Sequence, residues 1–260
     1  MLINTQTIKP HEDRVWTLAW NNNLLASCSG DKNICIFEYS DGKIIQKSLL
    51  KETHSKTIRS ITWDHSGNYL ASASFDTKIN IWKRKNMEFE CISTLEGQEN
   101  EIKSVSFSVS GQYLASCSRD KTIYIWDAEY EDYNCSSILQ SHTEDIKMVK
   151  WHPIEDILFS ASYDNTIKMW RFDHSQDDWA VICDLKEHAS TVWCIDFTPD
   201  GKYMVSVGDD MNVILWKIDG NKCSMVHKLN DIHFRSIYSC SINFTGNYLA
   251  TVYIYKTGWM

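Results

Sequence analysis

Apolar and polar residues alternate in short runs along nearly the whole chain. In one stretch, Thr57–Trp63 (TIRSITW), Asn68–Ser74 (NYLASAS) and Lys78–Trp82 (KINIW) each follow this pattern, which is the period of a half-buried β-strand. Turn sequences such as HSGN (65–68), SVSG (108–111) and TPDG (198–201) separate the first two strands of a unit. A further strand, such as ECISTL (90–95) or AVICDL (180–185), follows before the pattern restarts. No helical spacing intervenes, so the chain is predicted to be all-β, with four short strands to each unit.

The units are copies of one another. LASCSGDKNICIF (25–37), LASASFDTKINIW (70–82), LASCSRDKTIYIWD (114–127), LFSASYDNTIKMW (158–170) and MVSVGDDMNVILW (204–216) close on Phe37, Trp82, Trp126, Trp170 and Trp216, at intervals of 44–46 residues. That period and four strands per unit are those of a WD40 β-propeller blade. The whole chain, 1–260, reads as a single WD40 propeller domain. Its repeats are approximately 11–50, 54–96, 98–140, 142–186 and 188–230, with a partial unit at 233–252 and a divergent tail at 253–260.

Each unit carries a fixed set of polar residues. An Asp stands six before the closing aromatic (Asp31, Asp76, Asp120, Asp164, Asp210) and a Ser four before the Asp (Ser27, Ser72, Ser116, Ser160, Ser206). A His opens most units (His11, His54, His142, His188, His233), with Gln98 in its place in the third. Ser, His and Asp together suggest a catalytic triad, but a nucleophile is needed once and the Ser–Asp–aromatic spacing recurs five times. A structural network fits better: Asp fixes the His tautomer, and the Ser hydroxyl bridges His to the Trp indole N–H. Weaker networks are expected where Gln98 replaces His and Phe37 replaces Trp.

The sixth unit opens normally with His233, SIYSCSINF (236–244) and TGNYLATV (245–252), but the position of its Asp falls on Tyr255 and no closing Trp follows. The segment LINTQTIK (2–9) reads as a spare strand, the outermost one of a last blade. These features predict about five complete blades, a partial sixth and an N-terminal strand of the closing blade. A truncated product with an open ring is one expectation, and a closed six-bladed ring borrowing the N-terminal strand is the alternative.

Charge and cysteine content narrow the function. Lys and Arg number 26 against 34 Asp and Glu, a net charge of −8, which argues against nucleic acid and anionic membranes as partners. No run approaches the roughly 18–20 apolar residues of a membrane span, and Met1–Pro10 does not read as a signal peptide. The nine cysteines lie at least seven apart without a C-x-x-C pair, so neither a metal site nor a bound cofactor is expected. They read as small buried thiols of a reducing compartment.

The inter-repeat text is more specific. Residues 97–193 contain His142, Trp151–His152–Pro153, Asp177–Asp178–Trp179 and Thr191–Val192–Trp193, and the second unit contains HSKTIRSITW (54–63). Over about residues 11–252 this text resembles the WD-repeat subunit of the cytosolic iron–sulfur protein assembly targeting complex. The resemblance fails at 253–260. It implies a seven-bladed, non-enzymatic scaffold in the cytoplasm and nucleus. It also implies a MIP18/DUF59-type partner, a HEAT-repeat MMS19-type partner and apo iron–sulfur client proteins that receive clusters. The rival readings are a generic WD40 substrate receptor of a ubiquitin-ligase or chromatin complex, and a truncated product without function.

Candidate contact residues follow from blade geometry. The residue before each Asp and the second residue of each innermost strand should line one rim. Among them, Trp16, Arg59, Phe75, Lys103, Arg119, Lys147, Tyr163, Trp193 and Tyr238 form a basic and aromatic set on an acidic protein. Aromatic and Arg side chains are typical interface anchors. The expected ligand is an acidic or C-terminally aromatic client peptide, with Arg119 as the leading contact. The acidic stretches 127–132 and 173–178 are expected in outer-strand loops.

Overall fold

A computed structural model describes residues 5–51, 54–128, 131–230 and 232–253. Five antiparallel sheets of four strands follow one another along the chain. The first holds β1 (Val15–Asn21), β2 (Leu24–Ser29), β3 (Ile34–Ser40) and β4 (Lys43–Leu50); the second holds β5 (Ile58–Trp63), β6 (Tyr69–Ser74), β7 (Ile79–Lys85) and β8 (Glu88–Leu95). The third holds β9 (Ile102–Phe107), β10 (Tyr113–Ser118), β11 (Thr122–Asp127) and β12 (Asn134–Gln140); the fourth holds β13 (Ile146–Trp151), β14 (Leu158–Ser162), β15 (Ile167–Asp173) and β16 (Asp178–Leu185). The fifth holds β17 (Val192–Phe197), β18 (Tyr203–Gly208), β19 (Val213–Asp219) and β20 (Lys222–Leu229). A sixth sheet has two strands, β21 (Ile237–Ile242) and β22 (Leu249–Tyr253). Each sheet is a meander in sequence order, as expected when consecutive strands are joined by tight turns.

Apolar faces of successive sheets pack into the core. Ala71, Ile79 and Ile81 of the second blade meet Ile102, Val105 and Phe107 of the third. Phe159, Ile167 and Met169 of the fourth meet Ile195, Phe197 and Trp216 of the fifth. The second strand of each of the five four-stranded sheets is almost wholly buried, as in β14, where all five residues are.

The polar network forms as the repeat predicts. In the fourth blade Trp170 Nε1 donates to Ser160 Oγ (2.8 Å), Ser160 meets His142 Nε2 (2.7 Å), and His142 Nδ1 meets Asp164 Oδ2 (2.8 Å). The second and fifth blades repeat this through His54, Ser72, Asp76 and Trp82, and through His188, Ser206, Asp210 and Trp216. In the first blade His11 still joins Asp31 and Ser27, but Phe37 brings no indole donor. In the third, Gln98 Oε1 accepts from Ser116 and its Nε2 donates to the Thr122 carbonyl, while Trp126 still donates to Ser116. Asp120 is occupied by the amides of Glu99 and Thr122 instead of by an imidazole. The turn Asp also accepts the amide of the residue two further on in every complete blade, for example Lys78 N to Asp76 Oδ1 at 3.1 Å. This holds the intervening residues Lys32, Thr77, Lys121, Asn165 and Met211 at φ of 63–73°, a conformation that non-glycine residues rarely adopt.

Burial alone would raise the Asp76 pKa. The hydrogen bond and charge of His54, with the Ser55 and Lys78 amides, outweigh it and hold Asp76 at about 2. Asp31, Asp164 and Asp210 are lowered by the same balance.

A second contact joins neighbouring blades at the innermost strands. Thr17 Oγ1 donates to the Arg59 carbonyl (2.8 Å), and Ser104 Oγ to the Val149 carbonyl (3.3 Å). Ser60 Oγ accepts the Val105 amide (3.3 Å), Met148 Sδ the Ile195 amide (3.4 Å), and Cys194 Sγ the Cys240 amide (3.4 Å). The third residue of each innermost strand thus reaches the backbone of the next one.

The ends of the chain depart from expectation. Residues 5–10 form no strand, and residues 1–4 lie outside the described set. The Gln6 side chain exchanges two hydrogen bonds with the Ile44 backbone of β4. Among the described residues the N-terminal segment is tied to the first blade by this side chain and pairs with no strand of the sixth sheet. The Tyr255 position also lies outside the described residues.

Candidate protein-docking rim

The second residue of every innermost strand is an extra residue. Val15 pairs with Ser29 and Thr17 with Cys28, leaving Trp16 without a partner in the ladder. Arg59, Lys103, Lys147, Trp193 and Tyr238 are skipped in the same way. A β-bulge of this kind re-aims the side chain out of the sheet alternation. The sequence gives no sign of it, because the alternation resumes one residue later.

A backbone clamp brings the other candidates alongside. The residue before each turn Asp donates its amide to the carbonyl of a residue just ahead of the innermost strand. These pairs are Gly30–Arg14, Phe75–Thr57, Arg119–Glu101, Tyr163–Asp145 and Asp209–Thr191, at 2.8–3.0 Å. Each complete blade therefore presents its bulge residue next to its turn residue.

The side chains continue from blade to blade. Arg59 lies over the Trp16 ring (4.9 Å) and Lys103 over the Phe75 ring (4.2 Å). Lys147 sits 5.0 Å from both the Tyr163 and Trp193 rings, and Trp193 packs on Tyr238 with centroids 5.3 Å apart. Such cation–π contacts hold the cations in fixed places. The nine candidates thus occupy equivalent bulge and turn positions: contacts join Trp16 with Arg59, Phe75 with Lys103, and Tyr163, Lys147, Trp193 and Tyr238 with one another, while Arg119 joins through acidic neighbours.

Those neighbours were missed in the sequence. Glu101 Oε2 lies 2.5 Å from Lys103 Nζ and 3.9 Å from Arg119; Asp145 Oδ2 lies 3.8 Å from Arg119 and 3.4 Å from Lys147. Asp209 accepts the Trp193 indole N–H (2.6 Å). The rim is thus charge-balanced rather than simply basic. The signal available was position: Glu101 and Asp145 each stand just before an innermost strand. Arg119 remains the most open cation of the set, with 55% of its side chain exposed. Burial lowers the pKa of Arg59 and that of Lys103, where Glu101 opposes the shift.

The acidic stretches lie between third and outermost strands. Glu131 reaches back to Tyr69 and Lys83 of the second blade, and Asp173 ties its own turn through Ser175 and Gln176. No cluster of three or more His, Cys, Asp or Glu side chains with metal-binding placement exists among the described residues.

The sequence profile described as "WD domain, G-beta repeat" matches residues 3–38, 46–83, 89–127, 133–171 and 179–217. The probable cytosolic iron–sulfur protein assembly protein Ciao1 of Culex quinquefasciatus is 50% identical over 256 residues, covering 91% of this chain and 75% of that protein. The chain belongs to this family of WD40-repeat proteins. The probable cytosolic iron–sulfur protein assembly protein 1 of Yarrowia lipolytica is 54% identical over 222 residues, covering 83% of the chain and 66% of the relative. Protein CIA1 of Arabidopsis thaliana is 47% identical over 107 residues, or 37% of the chain and 30% of the relative. The chain spans about a third to three quarters of the length of the curated relatives it matches. The four later matched units each take in an outermost strand and then the three inner strands of the next blade, so in this Ciao1-family chain residues 3–10 stand where an outermost strand would be.

Proposed function

We propose that this chain works as a non-catalytic scaffold in cytosolic iron–sulfur protein assembly, and that its rim captures a carboxylate-bearing, aromatic segment of a client protein. The observation that carries the reading is the recurrence of bulge and turn side chains in contact from blade to blade, with Arg119 exposed among them. The names of the relatives place them in iron–sulfur protein assembly, which fits a subunit that presents clients and does not itself hold a cluster. The partners proposed with it are a MIP18/DUF59-type protein and a HEAT-repeat MMS19-type protein, with cytoplasm and nucleus as the compartments.

In this reading Arg119 leaves Glu101 and Asp145 to pair with the client carboxylate, and the Phe75, Tyr163 and Trp193 rings pack its aromatic side chain. The pre-existing acid contacts make binding an exchange of ion pairs, so the affinity depends on salt less steeply than it would for a free guanidinium. Arg119→Glu is expected to reduce capture of a client-derived C-terminal peptide at least tenfold in a fluorescence-anisotropy titration, with an unchanged circular dichroism spectrum. Wild-type affinity in that variant would overturn the reading.

A further inference from the structure

The innermost-strand contact that joins successive blades changes chemistry along the ring. At the early joints its side chain is a hydroxyl: Thr17, Ser60 and Ser104. At the joint between the fifth blade and the sixth unit it is the thiol of Cys194, and the residue it meets is another cysteine. Cys194 Sγ accepts the Cys240 amide at 3.4 Å and lies 3.6 Å from the Cys240 carbonyl, and both side chains sit in one small cluster with Val205, Val207, Val213 and Ile237. We propose that Cys194 and Cys240 form a peroxide-reactive dithiol whose oxidation to a disulfide staples the fifth blade to the sixth unit.

The surroundings suit Cys194 as the attacking sulfur. Hydrogen bonds from the Cys240 thiol outweigh the effect of burial, and the Cys240 amide and the Lys150 ammonium add to them, so Cys194 is drawn below the ordinary thiol range while Cys240 is pushed above it. Lys150 is paired with Asp196, whose other oxygen accepts the Ile242 amide at 2.6 Å, so the cation is fixed beside both strands. Asp196 opposes the shift at Cys194 and is the acidic group facing it. Cys194 and Cys240 also keep 7% and 6% of their surface open, whereas Cys28, Cys35 and Cys117 are at 0%.

The chemistry balances. The Cys194 thiolate attacks one peroxide oxygen, the O–O bond breaks, and hydroxide leaves and takes a proton to become water. The Cys240 sulfur then attacks the sulfenic sulfur of Cys194, an S–S bond forms, and the hydroxyl leaves as water with the Cys240 proton. Peroxide is reduced by two electrons and the dithiol is oxidised by two.

The test uses the full chain. After a peroxide pulse and alkylation, non-reducing digestion is expected to give a Cys194–Cys240 linked peptide, with two fewer alkylated thiols per chain. Cys194→Ser is the informative variant, because Ser fills the same position in β5 and β9. It should fold normally and leave Cys240 a free thiol. With Cys240→Ser, Cys194 should instead accumulate as a dimedone-reactive sulfenic acid. Oxidation confined to Cys91 and Cys135, or a Cys240 that oxidises at the wild-type rate in Cys194→Ser, would overturn the proposal. Neither result depends on client capture, so the docking rim and the dithiol stand or fall separately.

Discussion

The fourth blade and the sixth unit begin with the same elements. Each has an opening His, an innermost strand with a bulge and a second strand paired antiparallel to it. In the fourth blade His142 is held at both nitrogens, and the second strand is buried throughout. In the sixth, His233 Nε2 meets Thr251 Oγ1 at 2.8 Å, while Nδ1 is buried without a partner among the described residues. Its second strand is largely exposed, as are Phe244 at 89% and Tyr248 at 76%. An apolar cleft of about 200 Å³ opens between Val205, Val213 and Leu215 of the fifth blade and Ile242, Tyr248 and Leu249. The difference separates what a blade makes locally from what it makes only as a whole. The hairpin, the bulge and the His–hydroxyl contact form with two strands. Full burial does not, and the position of the Asp half, residue 255, lies outside the described residues.

The comparison breaks most severely if the Asp half proves dispensable. Asp164→Ala leaves His142 and the Thr143 and Thr166 amides without their acceptor. It should cost about 2–3 kcal/mol in urea unfolding, the range for leaving buried donors without a charged acceptor. A loss below about 1 kcal/mol would show that the complete blade gains nothing beyond its hairpin.

Acid tests the same carboxylates together. A group held below its unfolded pKa stabilises the fold above that value and loses its contribution as pH falls through the folded one. Asp76 is held at about 2 against 3.8, so it alone contributes on the order of 2 kcal/mol that disappears between about pH 4 and pH 2. Urea midpoints should fall through that window, and Asp76→Asn should fall less steeply than wild type.

Smaller changes sharpen the contrast. Gln98→His restores an imidazole opposite Asp120 and should raise stability by about 0.5–1 kcal/mol, one net buried hydrogen bond. His233→Leu should change stability by less than about 0.5 kcal/mol, because it removes an unpaired nitrogen with the Thr251 contact. The equivalent His188→Leu removes two satisfied nitrogens and should cost about 2 kcal/mol or more. Equal losses in the two variants would erase the distinction between closed and open units.

The repeat made most of this legible before any coordinates. The spacing of Ser160, Asp164 and Trp170 specifies both a turn and a hydrogen-bonded chain, and five copies remove the ambiguity of one. Rim membership could also be read, because strand starts and turn residues occupy fixed places in the period. The bulge at Trp16 and its equivalents was hidden, since an inserted residue and a register shift leave the same alternation on either side. So was the role of Glu101 and Asp145, which depends on distances across blades. The course of residues 5–10 could not be inferred either: a short polar run has no preferred partner, and the Gln6–Ile44 contact is a side-chain pairing with no periodic signal.

The six bulges have a consequence for variation. A residue that pairs in a ladder is constrained by the strand opposite and by the face it points to. The residue at 16, 59, 103, 147, 193 or 238 is outside its ladder, yet both of its neighbours are paired. It can therefore be exchanged as freely as a loop residue while staying positioned as rigidly as a strand residue. Trp, Arg, Lys and Tyr all occupy this one structural slot within a single chain. The ring is in that sense a set of interchangeable sockets, whose recognition properties can be rewritten one blade at a time without touching the blades.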